Sequence, residues 1–309
     1  MEVLMYVGIF VASLAVLLKA SDWFINSAEE IGLSFGVPPF LVGITIVAFG
    51  TSLPELATSI AAVLGGESEV VSGNVIGSNI TNIALVLGLV VVLVKEINLE
   101  NNIWHIDMPH LWGSAFLLWF VLRDQKVDML ENFILLFGLV IFLIYSVKSN
   151  PSEEGTVKYK AAPRSYLLLV VGGALVWLGA DYTIFAIQHL SAIAGISPEI
   201  IALSAISLGT SLPEIIVSLN AARRGKTSIA VGNVIGSNIF NTYAVMGIPS
   251  FFGDLKIPDQ IITFHLPLMI VMTILFGLMS NNKNINRWEG ALLLLFYVLF
   301  FAELFKTIL

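Results

Sequence analysis

Cysteine is missing from all 309 residues. Disulfides, thiolate metal sites and cysteine nucleophiles are therefore excluded. Charge is scarce as well: Lys, Arg, Asp and Glu together make up 12% of the chain, about half the usual ~25%. The net charge of −7 comes with no basic stripe, so nucleic acid is not an expected partner. The opening residues, MEVLMYVGIF, carry neither a basic n-region nor a small-residue cleavage site. They read as a first spanning helix, not a removable signal. What is abundant is apolar residues, at 57%, with a mean hydropathy of +0.91. A soluble chain with so few charges could not cover its surface, whereas apolar runs that recur at bilayer length span a membrane.

Ten apolar segments run about 3–27, 39–64, 70–94, 108–122, 129–147, 165–187, 198–222, 227–249, 261–279 and 288–308. In lipid such segments must be helices, because nothing outside the segment can pair with loose backbone groups. The expected fold is therefore an all-α polytopic membrane protein. The most polar connection, KSNPSEEGTVKYKAAPR at 148–164, divides the chain almost in half and reads as a linker between residues 1–147 and 165–309. With the N-terminus outside, the inner loops hold Lys95, Lys148, Lys158, Lys160, Arg164, Arg223, Arg224, Lys226, Lys283 and Arg287. The outer loops then hold only Arg123, Lys126, Lys256 and Lys306. The bias puts both termini outside and the linker in the cytoplasm, with the plasma membrane as the expected location.

The two halves repeat each other. FGTSLPELATS at 49–59 returns as LGTSLPEIIVS at 208–218, and GNVIGSNITN at 73–82 returns as GNVIGSNIFN at 232–241. Asp22 and Asp181, Pro39 and Pro198, Thr51 and Thr210, and Glu55 and Glu214 are all separated by one and the same offset, and no gap is needed from Asp22 to Asn82. One constant offset indicates duplication of a five-helix unit. Five is odd, so the second copy enters the membrane from the opposite side. The expectation is ten helices in two inverted five-helix repeats, with equivalent motifs facing each other near the midplane.

The motif chemistry points to a cation. Pro54 has no N–H to give the Gly50 carbonyl, and Gly50 weakens the same turn, so the helix should break there. Broken backbone at membrane depth is tolerated only where a cavity, water or ion satisfies it. Thr51, Ser52 and Glu55 add side-chain oxygens within about one turn, and Thr51 and Glu55 share a face. Asn74, Ser78 and Asn82 lie four apart as a polar stripe, and Gly73 and Gly77 allow close helix approach; Gly232, Gly236, Asn233, Ser237 and Asn241 repeat this. Small and polar residues also glue helices together, but a carboxylate at bilayer depth costs about 2.5–3.5 kcal/mol on insertion scales and marks a functional site. All-oxygen ligands with two carboxylates suit a hard cation, Ca²⁺ above all, with Na⁺ as competitor. His105, His110, His189 and His265 fall outside the motifs and read as loop or helix-end residues, while Asp22 and Asp181 read as caps or vestibule residues.

At these two motif pairs the chain resembles the cation/calcium exchanger superfamily, and within it the prokaryotic sodium/calcium exchanger branch. The likeness covers both halves. It implies a secondary antiporter, not an enzyme, exchanging Na⁺ for Ca²⁺ by alternating access, with the second and third helices of each half forming the ion site. Carried over by resemblance, Glu55 and Glu214 coordinate Ca²⁺ with the backbone carbonyls of Thr51 and Thr210. Sodium ions use Ser52, Ser78, Ser211 and Ser237 and the carbonyls of Ala48 and Ser207, and the first helix of each half slides to switch access. Both Asn82 and Asn241 are amides, whereas the potassium-dependent branch carries an aspartate at the position of Asn241; exchange here is expected to run without K⁺. The large cytoplasmic Ca²⁺-sensing insert of animal exchangers has no room in a linker confined to 148–164. Proton/calcium exchange is the alternative within transport, and a calcium-permeable channel the alternative outside it. An intramembrane enzyme would need a His, Cys or Lys base that the motifs lack. Nothing in the sequence indicates a cofactor or a protein partner beyond the bilayer and the transported ions.

Overall fold

Apolar segments with no water to bond must close their hydrogen bonds internally, and the elements of this chain are almost all helical. The computed structural model describes residues 2–99, 103–149, 160–195 and 209–306. Helix α1 is Glu2–Ser34. A bent run follows: α2 (Pro39–Val42), a π-helical turn (Gly43–Val47), α3 (Ala48–Thr51) and α4 (Leu53–Leu64). Next come α5 (Glu69–Ile80), a π-helical turn (Thr81–Leu87) and α6 (Gly88–Val94). Helices α7 (Ile103–Leu122), α8 (Met129–Ser149) and α9 (Pro163–Ile193) precede α10 (Leu212–Arg223) and α11 (Thr227–Phe240). A third π-helical turn, Asn241–Val245, continues α11. The chain ends with α12 (Leu266–Ser280), entered through a π-helical turn at Ile261–His265, and α13 (Arg287–Lys306). Among the described residues, six helical runs are long and apolar enough to cross a membrane: Glu2–Ser34, Pro39–Leu64, Glu69–Val94, Met129–Ser146, Pro163–Ile193 and Ile261–Ser280.

The sequence offset recurs in how helices stop. Gly36 and Gly66 sit at positive φ after α1 and α4, and Gly195 and Gly225 do so after α9 and α10. Gly36 matches Gly195, and Gly66 matches Gly225, at the offset of the repeat; each holds a left-handed position that suits a residue without a side chain. Both α1 and α9 run several residues beyond the apolar segments read from sequence. The reason is that the extra turns of α1 carry Glu29 and Glu30, which are partnered by Lys226 and by Ala162 and Ser165 of the second half. Another difference concerns His110. It lies inside α7, not at its end, packed on Phe142 and Tyr145 at centroid distances of 5.6 and 4.7 Å. The side chain of His105 lies outside the described residues.

Contacts between the two halves dominate the core. Helix α1 lies along α9 so closely that a Cβ on Gly172 would stand 3.0 Å from the Phe24 backbone, and one on Gly179 2.9 Å from Leu17. Gly232 and Gly236 of α11 meet the bent run still more tightly; added Cβ atoms would stand 2.5 Å from the Phe40 carbonyl oxygen and 2.2 Å from that of Ile44. This is the close approach expected of G-x-x-x-G. The segment that would face Gly73 and Gly77 by the same repeat, 199–207, lies outside the described residues, as does Pro198. Two short strands, β1 (Glu96–Asn98) and β2 (Asn284–Asn286), pair antiparallel with Ile97 opposite Ile285, both buried.

Candidate ion-binding site

Both helix breaks occur where proline and glycine place them. Ser52 (φ −88°, ψ 5°) ends α3, and Ser211 (φ −84°, ψ 3°) precedes α10, so the two interruptions share one backbone geometry. Pro54 and Pro213 then sit in the first turn of α4 and α10, where a missing N–H costs nothing. Glu55 and Glu214 follow in the same first turns, at the helix end whose free N–H groups favour negative charge. Both glutamates have no solvent exposure.

Hydroxyls and amides from the two halves interlock around them. The Thr51 hydroxyl donates to Asn233 Oδ1 at 3.1 Å, and its repeat equivalent Thr210 donates to Asn74 Oδ1 at 3.1 Å. Thr51 also lies 3.4 Å from the Ser237 hydroxyl, and Thr210 3.5 Å from that of Ser78. Asn74 Nδ2 donates to the Glu55 carbonyl (3.0 Å) and to Ser59 (2.9 Å), and Asn233 Nδ2 donates to Ser218 (2.9 Å). Ser59 and Ser218 carry no motif signal of their own, although they stand four positions after each glutamate and match each other at the offset of the repeat.

Symmetry fails at the carboxylates. Ser52 donates to Glu214 Oε1 at 3.1 Å, whereas Ser211, its equivalent, has no partner for its hydroxyl among the described residues. Glu214 Oε2 and both carboxylate oxygens of Glu55 are also buried without a hydrogen bond within 3.5 Å there; the Thr210 hydroxyl acts on Glu55, and those of Thr51 and Ser237 on Glu214, from farther off, and the two glutamates are near enough for their charges to repel. Asn82 and Asn241, at the start of equivalent π-helical turns, are fully buried, and among the described residues both amide atoms of each are unpartnered. Buried polar atoms are normally satisfied, and π-helical turns are frequent at functional sites. The Ala48 carbonyl already accepts from the Ser52 N–H (3.0 Å) and the Thr51 hydroxyl (3.3 Å). Ser207 lies outside the described residues.

Asn79 likewise lies off the polar stripe of Asn74, Ser78 and Asn82. Its Nδ2 donates to Thr242 at 3.0 Å and lies 3.6 Å from Met269 Sδ. Its equivalent Asn238 has no such hydroxyl to meet, because Ile83 stands where Thr242 does, and both its amide atoms are unpartnered among the described residues. A cavity of about 260 Å³ reaches the site from one end, lined among others by Pro54, Thr58, Asn74, Asp181, Gln188 and Thr210.

The sodium/calcium exchanger protein family matches residues 5–148 and 164–306, nearly the whole of both halves. The chain belongs to the sodium/calcium exchanger family. Among the relatives of this exchanger is the sodium/calcium exchanger MaX1 of Methanosarcina acetivorans, 32% identical over 342 residues, which span 96% of this chain and 97% of that one. The inner membrane protein YrbG of Escherichia coli is 30% identical over 320 residues, covering 98% and 97%. Among solved structures, the sodium-calcium exchanger NCX_Mj soaked with 10 mM Na⁺ and zero Ca²⁺ superposes with a TM-score of 0.86 at 32% identity, covering 97% of this chain and 99% of that one. The exchanger is thus a multi-pass membrane transporter, and its activity is transport of Na⁺ and Ca²⁺, not catalysis.

Proposed function

We propose that the chain exchanges Na⁺ for Ca²⁺ by alternating access across ten spans, arranged as inverted five-helix repeats at 1–147 and 165–309 with a cytoplasmic linker at 148–164 and both termini outside. The observation that carries this reading is the pair of fully buried glutamates, three of whose four carboxylate oxygens have no hydrogen-bond partner among the described residues. A bare buried carboxylate is expensive, and a cation is the partner that removes the penalty. Glu55 and Glu214 together neutralise one Ca²⁺, with the carbonyls of Thr51 and Thr210 completing the oxygen shell. Ser52, Ser78, Ser211 and Ser237, with the carbonyls of Ala48 and Ser207, serve Na⁺; Asn82 and Asn241 line the central space with neutral oxygens.

The charge balance explains why transport is exchange. Loaded with Ca²⁺ or with Na⁺, the site crosses between its two faces with its carboxylates compensated. Empty, it would carry two uncompensated charges through the change of state, so the empty carrier stays put. Since neither Asn82 nor Asn241 brings a third carboxylate, no charge remains for K⁺ beside Ca²⁺.

The test is ⁴⁵Ca²⁺ uptake into proteoliposomes under imposed Na⁺, H⁺ or K⁺ gradients, with choline as the balancing cation. A Na⁺ gradient should drive saturable uptake in choline as well as in K⁺. Uptake driven by H⁺ alone would make the chain a proton/calcium exchanger, a strict need for K⁺ would overturn the amide argument, and a unitary current would make it a channel.

A further inference from the structure

Asp22 and Asp181 occupy equivalent places in the two repeats yet meet different fates. Asp22 forms an ion pair with Arg224 and accepts from Asn220 Nδ2 at 2.6 Å; the same amide reaches Ser21 at 2.6 Å. One turn and two turns further along α1, Asn26 and Glu29 both take Lys226 Nζ at 2.6 Å. Residues 22, 26 and 29 form one stripe on α1, at i, i+4 and i+7 spacing. Every one of these ties joins α1, in the first half, to the end of α10 or the turn after it, in the second. The second repeat cannot build the mirror-image set. Where the latch needs Asn220, Arg224 and Lys226, the first repeat has Ala61, Gly65 and Glu67; where it needs Asn26 and Glu29, the second has Phe185 and Gln188. Among the described residues no ion pair or hydrogen bond holds Asp181, which lines the open cavity instead.

We propose that the Asp22–Arg224 and Glu29–Lys226 pairs, with Asn220, form a one-sided ionic latch that holds the α1–α10 mouth shut and biases the resting protein toward opening at Asp181. This rests on the alternating-access reading, in which one mouth closes as the other opens. The two repeats give the transporter two similar end states; a tie present in only one repeat makes those states unequal in free energy. Latching α1 also restrains α9, since the two helices pack closely through Gly172 and Gly179. Under the proposed topology the latched mouth is cytoplasmic, and the Asp181 mouth external.

The absence of native cysteine makes the test direct. A single thiol is placed either at Ala221→Cys, fully buried behind the latch, or at Thr58→Cys, on the wall of the Asp181 cavity. Maleimide labelling rates are then read for the full chain in detergent, with and without Arg224→Gln, Lys226→Gln or both. Partly exposed ion pairs are individually weak, so one substitution should speed labelling at 221 about threefold and both about tenfold. Labelling at 58 should fall, to about half once the two states are equally populated. High salt should mimic the substitutions, because these pairs are partly exposed. The charge exchange Asp22→Arg with Arg224→Asp should return both rates to those of the parent. Parental rates at both positions in the unlatched variants would overturn the proposal. So would faster labelling at 221 without slower labelling at 58, since that is local fraying. Sodium-driven Ca²⁺ uptake by the parent is measured separately; its failure would remove the exchange reading without touching the labelling result.

Discussion

Replacing Glu55 by glutamine should separate the stability of the empty protein from its response to calcium, in opposite directions. In the empty protein neither Glu55 oxygen has a hydrogen bond within 3.5 Å among the described residues, the Thr210 hydroxyl acts on it only from farther off, and the Glu214 charge stands close by. Glutamine keeps the shape and removes the charge. A buried amide lacking partners costs about 1–3 kcal/mol, less than an uncompensated carboxylate, so ion-free Glu55→Gln should melt at or above the parent's temperature. With Ca²⁺ the comparison reverses. Truncating one member of a buried charge pair costs about 3–5 kcal/mol, which weakens Ca²⁺ binding by about 10²–10⁴. At a Ca²⁺ concentration one hundred times the parent's Kd, the parent gains about 2.7 kcal/mol, while the variant gains below about 0.4 kcal/mol. For a chain of this size the parent's gain is a shift of about 4 °C, and the variant's is below about 1 °C. Thermal unfolding in detergent with and without Ca²⁺ reads both effects. If Glu55→Gln keeps the parent's Ca²⁺-dependent shift, Glu55 is not a calcium ligand and the site has been misassigned.

The broken symmetry around the carboxylates predicts unequal serines. Ser52→Ala removes the donor to Glu214 Oε1 and should destabilise the ion-free protein by about 1.5–3 kcal/mol, whereas Ser211→Ala removes a hydroxyl with no partner among the described residues and should leave it unchanged while weakening Na⁺ dependence; equal melting temperatures for the two variants would count against this. Gly236→Ala drives a Cβ to 2.2 Å from the Ile44 carbonyl oxygen, a backbone atom that cannot swing away; overpacking of about 1–3 kcal/mol or more should appear as reduced yield of folded protein, and a parental melting curve would refute the tight contact.

Much of the site could be read in advance because proline, glycine and a buried carboxylate each have few reasons to sit in an apolar helix. The break before Pro54, the equivalent break before Pro213 and the burial of both glutamates follow from local chemistry and from one offset. Partners do not follow in the same way. A serine in an apolar run announces that it will be buried, but not that Thr51 meets the distant Asn233, or that Asn79 meets Thr242. Gly50 illustrates the limit. Its sequence role was to weaken a turn, yet in the fold its missing side chain also makes room for the Phe24 ring, which a Cβ would approach to 2.4 Å. The charges of Arg224 and Lys226 were legible only as a topological bias, since pairing with α1 depends on how two distant helices pack. The pairing of β1 with β2 left no sequence signal, since strands this short cannot show a period.

The interlocking of the two halves has a consequence for biosynthesis. Thr51 finds its partner in Asn233 and Ser52 finds Glu214, each from the later copy of the repeat. When α4 and α5 first enter the membrane, those partners have not yet been made. At ordinary ribosomal elongation rates, the gap between equivalent positions of the two copies takes on the order of 10 s to synthesise. For that interval the first half holds its hydroxyls and Glu55 in a bilayer that offers them little. The nascent chain should therefore be most vulnerable to quality-control proteases and most dependent on insertion chaperones halfway through its own synthesis, before the second glutamate leaves the ribosome.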